Sequence, residues 1–222
     1  MIGTSMEPTG AAPSNARSLR PDDGRLVRGR RSRAQIREAF RALCRELGFD
    51  RTTLRAIAER AGMGASSIYR HIQSKEELLV EELADLQERA WREIRRRGDR
   101  ELSARLRVRE FLDAEHELLS ADPDLTTIAM RATTHPGARV ARQVLVLQDR
   151  TIGVLTEILQ AGRLRGELRR EADVLAAART VVFSTNGARI AWANGLLDAE
   201  GCRTAVAAAV DLLFACIEAP PA

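Results

Sequence analysis

Residues 53–79 of this chain, TLRAIAERAGMGASSIYRHIQSKEELL, decide its fold. A short helix is predicted at the start of this stretch. Its apolar stripe is formed by Leu54, Ile57, Ala58 and Ala61. Residues 61–64 predict a tight turn, because Gly62 tolerates a positive φ. A second short helix is predicted over residues 65–72, and two short helices joined in this way form a helix-turn-helix unit.

The second helix of this unit has two different faces. Ile68 and Ile72 are predicted to pack inward. The opposite face carries small or polar side chains: Ala65, Ser66, Ser67, Tyr69, Arg70 and His71. Small residues at the start of a helix allow it to enter the major groove of DNA closely. We therefore expect this face to meet DNA.

Helical periodicity continues on both sides of the unit. Upstream, a helix is predicted from Arg31 to Gly48. Downstream, Ser74 and Glu77 predict a capping box that opens a long helix ending near Gly98. Further helices are predicted over about 101–120, 123–131, 138–161, 172–193 and 199–218. The sequence shows no strand-like alternation, so the predicted fold is all-α, with about nine helices.

The composition limits the class of protein. Of 222 residues, 45% are hydrophobic and only 4% are aromatic, which favours a helical core of small aliphatic side chains. No apolar run approaches the roughly 18–20 residues that a membrane span needs, and the N-terminus carries no hydrophobic signal segment. Three cysteines in no paired pattern suit a reducing compartment. We therefore expect a cytoplasmic protein that makes no membrane contact.

Positive charge is concentrated in the first third of the chain. Residues 1–75 carry 15 Lys and Arg against 7 Asp and Glu, a net charge of +8, whereas residues 76–222 carry 20 against 24, a net charge of −4. This asymmetry is typical of a nucleic-acid-binding module joined to a domain of another kind. We predict a disordered basic arm over residues 1–29, a helix-turn-helix domain over 30–75 and a larger helical domain over 76–222.

Residues 31–80 resemble the N-terminal domain of the TetR family of transcriptional regulators. The resemblance lies in the helix-turn-helix, the Ile-Tyr-Arg-His run at 68–71 and the Ser-Lys-Glu-Glu-Leu-Leu run at 74–79. Gly64 departs from the Ser or Thr that often caps the recognition helix, and Ile72 replaces a usual Phe. The resemblance implies a homodimer that binds a near-palindromic operator in double-stranded DNA. It also implies that the larger domain binds a small-molecule effector and dimerises.

The resemblance assigns roles to individual side chains. Thr53, Tyr69, His71 and Lys75 are expected to contact phosphates, which fixes the register of the protein on DNA. Ser66, Ser67 and Arg70 are expected to meet base edges or adjacent phosphates, since arginine is the usual bidentate reader of guanine. Arg33, in the basic stretch before the unit, and Ala65, at the start of the recognition helix, complete the predicted DNA-binding set.

The effector pocket is expected among the middle helices of the larger domain. Candidate lining residues are aromatic or polar side chains on otherwise apolar faces: Trp91, Phe111, Met130, Gln148, Thr151, Phe183 and Asn186. Ordinary core packing is the alternative for each of them. Because few charged residues lie on predicted buried faces, we expect an apolar effector.

The last two predicted helices carry more apolar surface than one protein core requires. Small and apolar residues are expected at a dimer interface: Gly187, Ala191, Gly195, Ala205, Ala209, Leu212, Leu213 and Cys216. Two such helices from each of two chains form a four-helix bundle around a two-fold axis. The alternative is that these residues are the core of a large monomer.

Enzyme function is not expected. Three histidines, His71, His116 and His135, fall on three different elements, so no catalytic constellation is predicted. Glu115, His116 and Glu117 are interpreted as solvated helix surface rather than a metal site, and no metal or cofactor is expected. The leading hypothesis is a repressor that a small-molecule inducer releases from DNA. The alternative is a constitutive architectural DNA-binding protein with little sequence readout.

Overall fold

The protein is described by a computed structural model that covers residues 21–97, 102–134 and 136–220. Within these residues the chain forms nine α-helices, and its single β-type contact is an isolated bridge between Leu168 and Glu218. The helices are α1 (Pro21–Leu47), α2 (Leu54–Arg60), α3 (Ala65–Ile68), α4 (Lys75–Arg97), α5 (Ala104–Ser120), α6 (Pro123–Thr134), α7 (Ala138–Leu164), α8 (Val174–Ala193) and α9 (Ala199–Ile217). The predicted all-α fold is confirmed.

The first helix begins earlier than the sequence pattern predicts. The sequence pattern predicts a start at Arg31, whereas α1 begins at Pro21, so residues 21–29 of the predicted disordered arm are helical. Apolar periodicity misses this extension because residues 21–29 contain only two large apolar side chains, Leu26 and Val27. Proline is favoured at the first position of a helix, which is consistent with the observed start. Residues 1–20 of the predicted arm, and His135, lie outside the described residues.

The N-terminal helices pack around a small apolar core. Ile36 and Phe40 of α1, Ile57 of α2, and Ile68 and Ile72 at and beyond the end of α3 are fully buried there. Helix α1 is followed by Gly48, whose φ of +79° is the left-handed conformation that ends helices most readily in glycine. The core fixes the relative positions of α1, α2 and α3, as the apolar spacing predicts.

The larger domain has a second core between α4, α5, α7, α8 and α9. Val108 and Phe111 of α5, Leu155 and Ile158 of α7, and Phe214 of α9 are fully buried in it. At the α5–α6 connection, the carboxylate of Asp122 caps the start of α6 by accepting a hydrogen bond from the amide of Leu125 at 3.2 Å. None of the helices in the described ranges is long and apolar enough to cross a membrane.

Candidate DNA interface and interhelical cavity

The turn between α2 and α3 has the geometry that the sequence predicts. Thr53 caps α2 by accepting a hydrogen bond from the amide of Ala56 at 3.2 Å, and Gly62 adopts a φ of +67° in the turn. The amide of Met63 then donates to the carbonyl of Ala58 at 2.9 Å, which closes the turn against α2. Gly64 occupies the N-cap position of α3 without a side chain to cap it. The turn is therefore closed by a backbone hydrogen bond.

The recognition helix is shorter than predicted. Helix α3 ends at Ile68 rather than Ile72, and the chain continues in a tight turn in which the amide of His71 donates to the carbonyl of Ile68 at 2.8 Å. Ile72 stays fully buried, so the inward face is retained.

Most of the predicted DNA-binding side chains are exposed or half-buried. Thr53, Ala65, Ser66, Tyr69 and Arg70 are exposed, and Ser67 and His71 are half-buried. Arg70 donates from Nη2 to the hydroxyl of Ser67 at 3.0 Å, which orients its guanidinium along the helix surface. Tyr69 is 56% exposed, which is unusual for so large a ring and leaves its hydroxyl able to meet a phosphate.

Lys75 and Arg33, by contrast, have internal partners. The ammonium of Lys75 donates to the carbonyl of Phe49 at 2.8 Å and to that of Asp50 at 3.2 Å, and it lies 4.2 Å from the centre of the Phe49 ring. It therefore joins the start of α4 to the end of α1, and one of its three N–H donors is left for a phosphate. Arg33 bonds through its guanidinium to the carboxylate of Glu81.

The Arg33 contact belongs to a larger set of ion pairs between α1 and α4. The members of this α1–α4 ion-pair network are Arg33–Glu81, Arg37–Glu82, Arg37–Asp85 and Arg41–Glu82. The Arg37–Glu82 pair is 2.8 Å long, and the Glu82 side chain is 5% exposed. Burial opposes protonation of Arg37, but hydrogen bonds to Glu82 and Asp85 outweigh it and raise the pKa of Arg37 above its ordinary value. The network ties α4 to the DNA-binding helices.

A cavity of about 110 Å³ lies among α4, α5, α6, α7 and α8. We call it the interhelical cavity. Of the predicted effector-binding residues, it brings together Met130, Gln148, Thr151 and Asn186. The remaining three lie elsewhere. Phe111 is fully buried in the core of the larger domain, where its ring meets the ring of Trp91 edge-on at 6.1 Å, and Phe183 is 59% exposed on α8.

The wall of the interhelical cavity contains charge that sequence reasoning missed. Arg189 of α8 donates from Nη2 to Oε2 of Glu115 at 2.8 Å, and their side chains are only 9% and 4% exposed. The expectation of few buried charges is therefore wrong here, and so is the interpretation of Glu115 and His116 as solvated surface. Glu115 contacts Arg189 of α8, and His116 contacts Trp192 of α8. Glu117, the next residue of α5, is exposed. No pattern within either helix indicates the pairing of Glu115 with Arg189, because the two residues are 74 positions apart.

His116 is buried beside this wall. Its ring lies 5.6 Å from the ring of Trp192, and its Nε2 is 3.3 Å from the hydroxyl of Ser120. Burial lowers the pKa of His116 below its ordinary value of 6.5, and the positive charge of Arg189 adds to this effect. Among the described residues, no group of His, Cys, Asp and Glu has the arrangement of a metal site.

Exposed side chains of α8 and α9, together with Gly195 just after α8, make up a set that we call the α8–α9 surface. Its exposed members from the predicted dimer set are Gly187, Gly195, Ala205, Leu212 and Cys216, with Ala191 and Ala209 half-buried. Leu212 is 72% exposed, whereas Val210 and Phe214 on the other side of α9 are 1% and 0% exposed. Phe183 also belongs to this surface rather than to the cavity. Leu213 is half-buried against the core of the protomer itself.

Comparisons with known proteins agree with this arrangement. The sequence profile of bacterial regulatory proteins of the tetR family matches residues 36–81, which span the helix-turn-helix. Over 201 residues the chain is 28% identical to the HTH-type transcriptional repressor KstR of Rhodococcus jostii (strain RHA1), with 90% of each chain covered. The match therefore extends through the larger domain.

Solved structures show the same fold. FadR of Thermus thermophilus, described as a TetR family transcriptional repressor in complex with lauroyl-CoA, superposes with a TM-score of 0.73 at 21% identity, covering 86% of this chain and 97% of that one. FadR of Bacillus subtilis in complex with stearoyl-CoA superposes with a TM-score of 0.62 at 20% identity, covering 81% and 96%. Both likenesses span the DNA-binding helices and the larger helical domain.

Proposed function

The chain belongs to the TetR family of bacterial transcriptional regulators, and on that premise we propose that it is a repressor that binds a near-palindromic operator as a homodimer. A small molecule bound in the interhelical cavity releases it from DNA. The observation that carries this proposal is the joint presence of an exposed recognition helix and a cavity that share one connecting helix, α4.

The open face of the recognition helix supports the DNA contact. Tyr69 and Arg70 are exposed next to two serines, and the first third of the chain carries a net charge of +8. Arg70 is the candidate for base readout, because its guanidinium is exposed and already oriented by Ser67. Tyr69, Thr53 and His71 supply hydroxyl or imidazole groups that suit phosphates.

The α8–α9 surface supports the homodimer. A large exposed side chain such as Leu212 is surrounded by small residues that allow two backbones to approach closely. A helix-turn-helix repressor needs two recognition helices to occupy half-sites about 34–36 Å apart. A second copy of this chain is therefore the occupant that fits this surface.

Helix α4 supports a connection between effector and DNA. Leu83 and Gln87 of α4 line the interhelical cavity, while the α1–α4 ion-pair network binds the same helix to α1. A ligand that displaces α4 changes the position of the recognition helices, and a few ångströms of mismatch prevents both from docking. Such a ligand acts only through unequal affinity for the two conformations.

The size of the interhelical cavity bears on the class of effector. Two structural neighbours were solved with acyl-CoA molecules. Ligand pockets usually measure about 300–1,000 Å³, whereas the interhelical cavity measures about 110 Å³. A long acyl chain would require the helices to separate, so a smaller effector suits the conformation described.

Enrichment of DNA fragments from a random pool by the purified protein tests the proposal. We expect one inverted repeat to emerge, bound at least about a thousandfold more tightly than a scrambled duplex of equal length. The alternative, a constitutive architectural protein, predicts weak and nearly equal binding to both duplexes. The interhelical cavity favours the ligand-responsive regulator, because an architectural DNA-binding protein does not require a ligand site.

A further inference from the structure

Two buried polar side chains of the interhelical cavity have unused hydrogen-bonding capacity. Arg189 is 8% exposed, and its Nε has no hydrogen-bond partner among the described residues. Thr185 is 2% exposed, and within the same part of the chain its Oγ1 finds no partner. The two residues are four apart on α8 and therefore lie on one face of the helix. Buried polar groups nearly always have partners, so this pair is suited to an acceptor supplied by a ligand.

The charge of the cavity wall limits which acceptor is suitable. Glu115 already neutralises Arg189 through their 2.8 Å contact, and both side chains are almost fully buried. A carboxylate ligand would bring a second negative charge close to Glu115 in a poorly solvated site, which is strongly unfavourable. An uncharged oxygen needs only the free N–H and O–H groups. The wall therefore favours a neutral acceptor over an acid.

Apart from Glu115, Thr185 and Arg189, eight of the thirteen lining residues are apolar, and the five polar ones include Gln87, Gln148 and Asn186. Leu83, Leu112, Val144 and Val182 approach from four different helices. The volume of about 110 Å³ is somewhat below the roughly 150 Å³ of an engineered apolar cavity that binds benzene. The effector that suits this conformation is therefore no larger than a single six-membered ring.

We propose that the effector is a compact apolar molecule with one uncharged oxygen acceptor, such as a ketone carbonyl. Nε of Arg189 and Oγ1 of Thr185 donate to that oxygen, and the apolar side chains among the lining residues contact the hydrocarbon part. This inference rests on the proposed function, because it specifies the chemistry of the ligand that controls DNA binding.

Three probes of similar shape test the inference. Cyclohexanone carries a neutral acceptor, methylenecyclohexane lacks one, and cyclohexanecarboxylate is an anion. The chain contains four methionines, and Met130 lies in the cavity wall while Met63 lies in the helix-turn-helix. Carbon-13-labelled methionine methyl groups in the full chain therefore report binding in the cavity, with Met63 as the internal control. We expect cyclohexanone to bind at least about tenfold more tightly than either other probe.

A threonine pair separates ligand recognition from stability. Thr185→Val keeps the shape of the side chain and should weaken cyclohexanone binding about fivefold, with no loss for methylenecyclohexane. Thr52→Val is the matched control, because Thr52 is also buried but its hydroxyl donates to the carbonyl of Gly48 at 2.9 Å, outside the cavity. It should lower stability without changing the ratio of probe affinities.

Glu115→Gln tests the role of charge. Glutamine keeps an oxygen for Arg189 but removes the negative charge, so the guanidinium becomes available to an anion. We expect cyclohexanecarboxylate to bind this variant at least about tenfold more tightly than it binds the wild type. An unchanged Met63 signal checks that the variant is folded.

The outcomes distinguish this inference from the proposed function. Equal affinities for the three probes, or no cyclohexanone shift at Met130, overturn the proposed ligand chemistry, whatever the DNA measurements show. Selective cyclohexanone binding that leaves operator affinity unchanged supports the ligand chemistry and contradicts control of DNA binding through this cavity. Selective binding that lowers operator affinity supports both.

Discussion

Gly162 lies where the end of α7 meets the start of α5, and it leaves no room for a side chain. A Cβ atom on Gly162 would lie 2.5 Å from Cβ of Ala104 and 3.7 Å from its Cα. Because carbon atoms in contact are normally about 3.5–4.0 Å apart, one of the two helices must shift by about an ångström. We expect Gly162→Ala to lower the free energy of unfolding by about 1–3 kcal/mol.

Urea denaturation followed by circular dichroism measures this change. Gly153→Ala is the matched control in the same helix, since a Cβ there meets nothing within 4 Å. It should stabilise the protein by about 0.5–1 kcal/mol, because alanine is the better helix former. Adding Ala104→Gly to Gly162→Ala should relieve the overlap and give a favourable coupling of about 1 kcal/mol or more. A Gly162→Ala protein as stable as the Gly153→Ala control would refute the reasoning.

The remaining predictions concern the DNA interface, the dimer and pH. Tyr69→Ala should weaken binding to operator and scrambled DNA alike, whereas Arg70→Ala should also relax preference at one base pair by about 1–3 kcal/mol, as competition binding measures. Leu212→Glu should dissociate the dimer at a cost of several kcal/mol, and it should not unfold the protomer because Leu212 is exposed there. Leu145→Glu, at an exposed position of α7, should leave the dimer intact. Analytical ultracentrifugation distinguishes the two oligomeric states. Because burial lowers the pKa of His116, the unfolded chain binds a proton more readily, so stability should fall as pH drops below about 6.5. His116→Gln should reduce that fall in urea titrations at pH 7 and pH 5.

The local features of the fold could be predicted from sequence because short-range chemistry determines them. Gly48 and Gly62 both adopt the positive φ that their positions in the pattern require. Helix α6 begins at Pro123 and α7 begins at Ala138, as the sequence pattern predicts. Each of these depends on residues within a few positions of one another, which a sequence pattern contains.

The wall of the cavity could not be predicted, because it depends on contacts between distant residues. Glu115 and Arg189 are 74 positions apart, and each looks like a solvated residue in its own helix. Phe183 shows the reverse error: an aromatic ring on an apolar helix suggested a pocket, yet the ring is exposed on the α8–α9 surface. Lys75 was assigned only to DNA, although it also joins α4 to the end of α1 through the Phe49 carbonyl. Only the packed arrangement shows which face of each helix is covered.

Hydroxyl-radical footprinting of the wild-type protein on its enriched operator tests the central claim most directly. Two recognition helices related by a two-fold axis should protect two equivalent patches centred about 34–36 Å apart on one face of the duplex. Leu212→Glu, measured alongside, should lose both patches together. A single protected patch, or uniform protection without symmetry, would contradict a dimeric, operator-reading repressor.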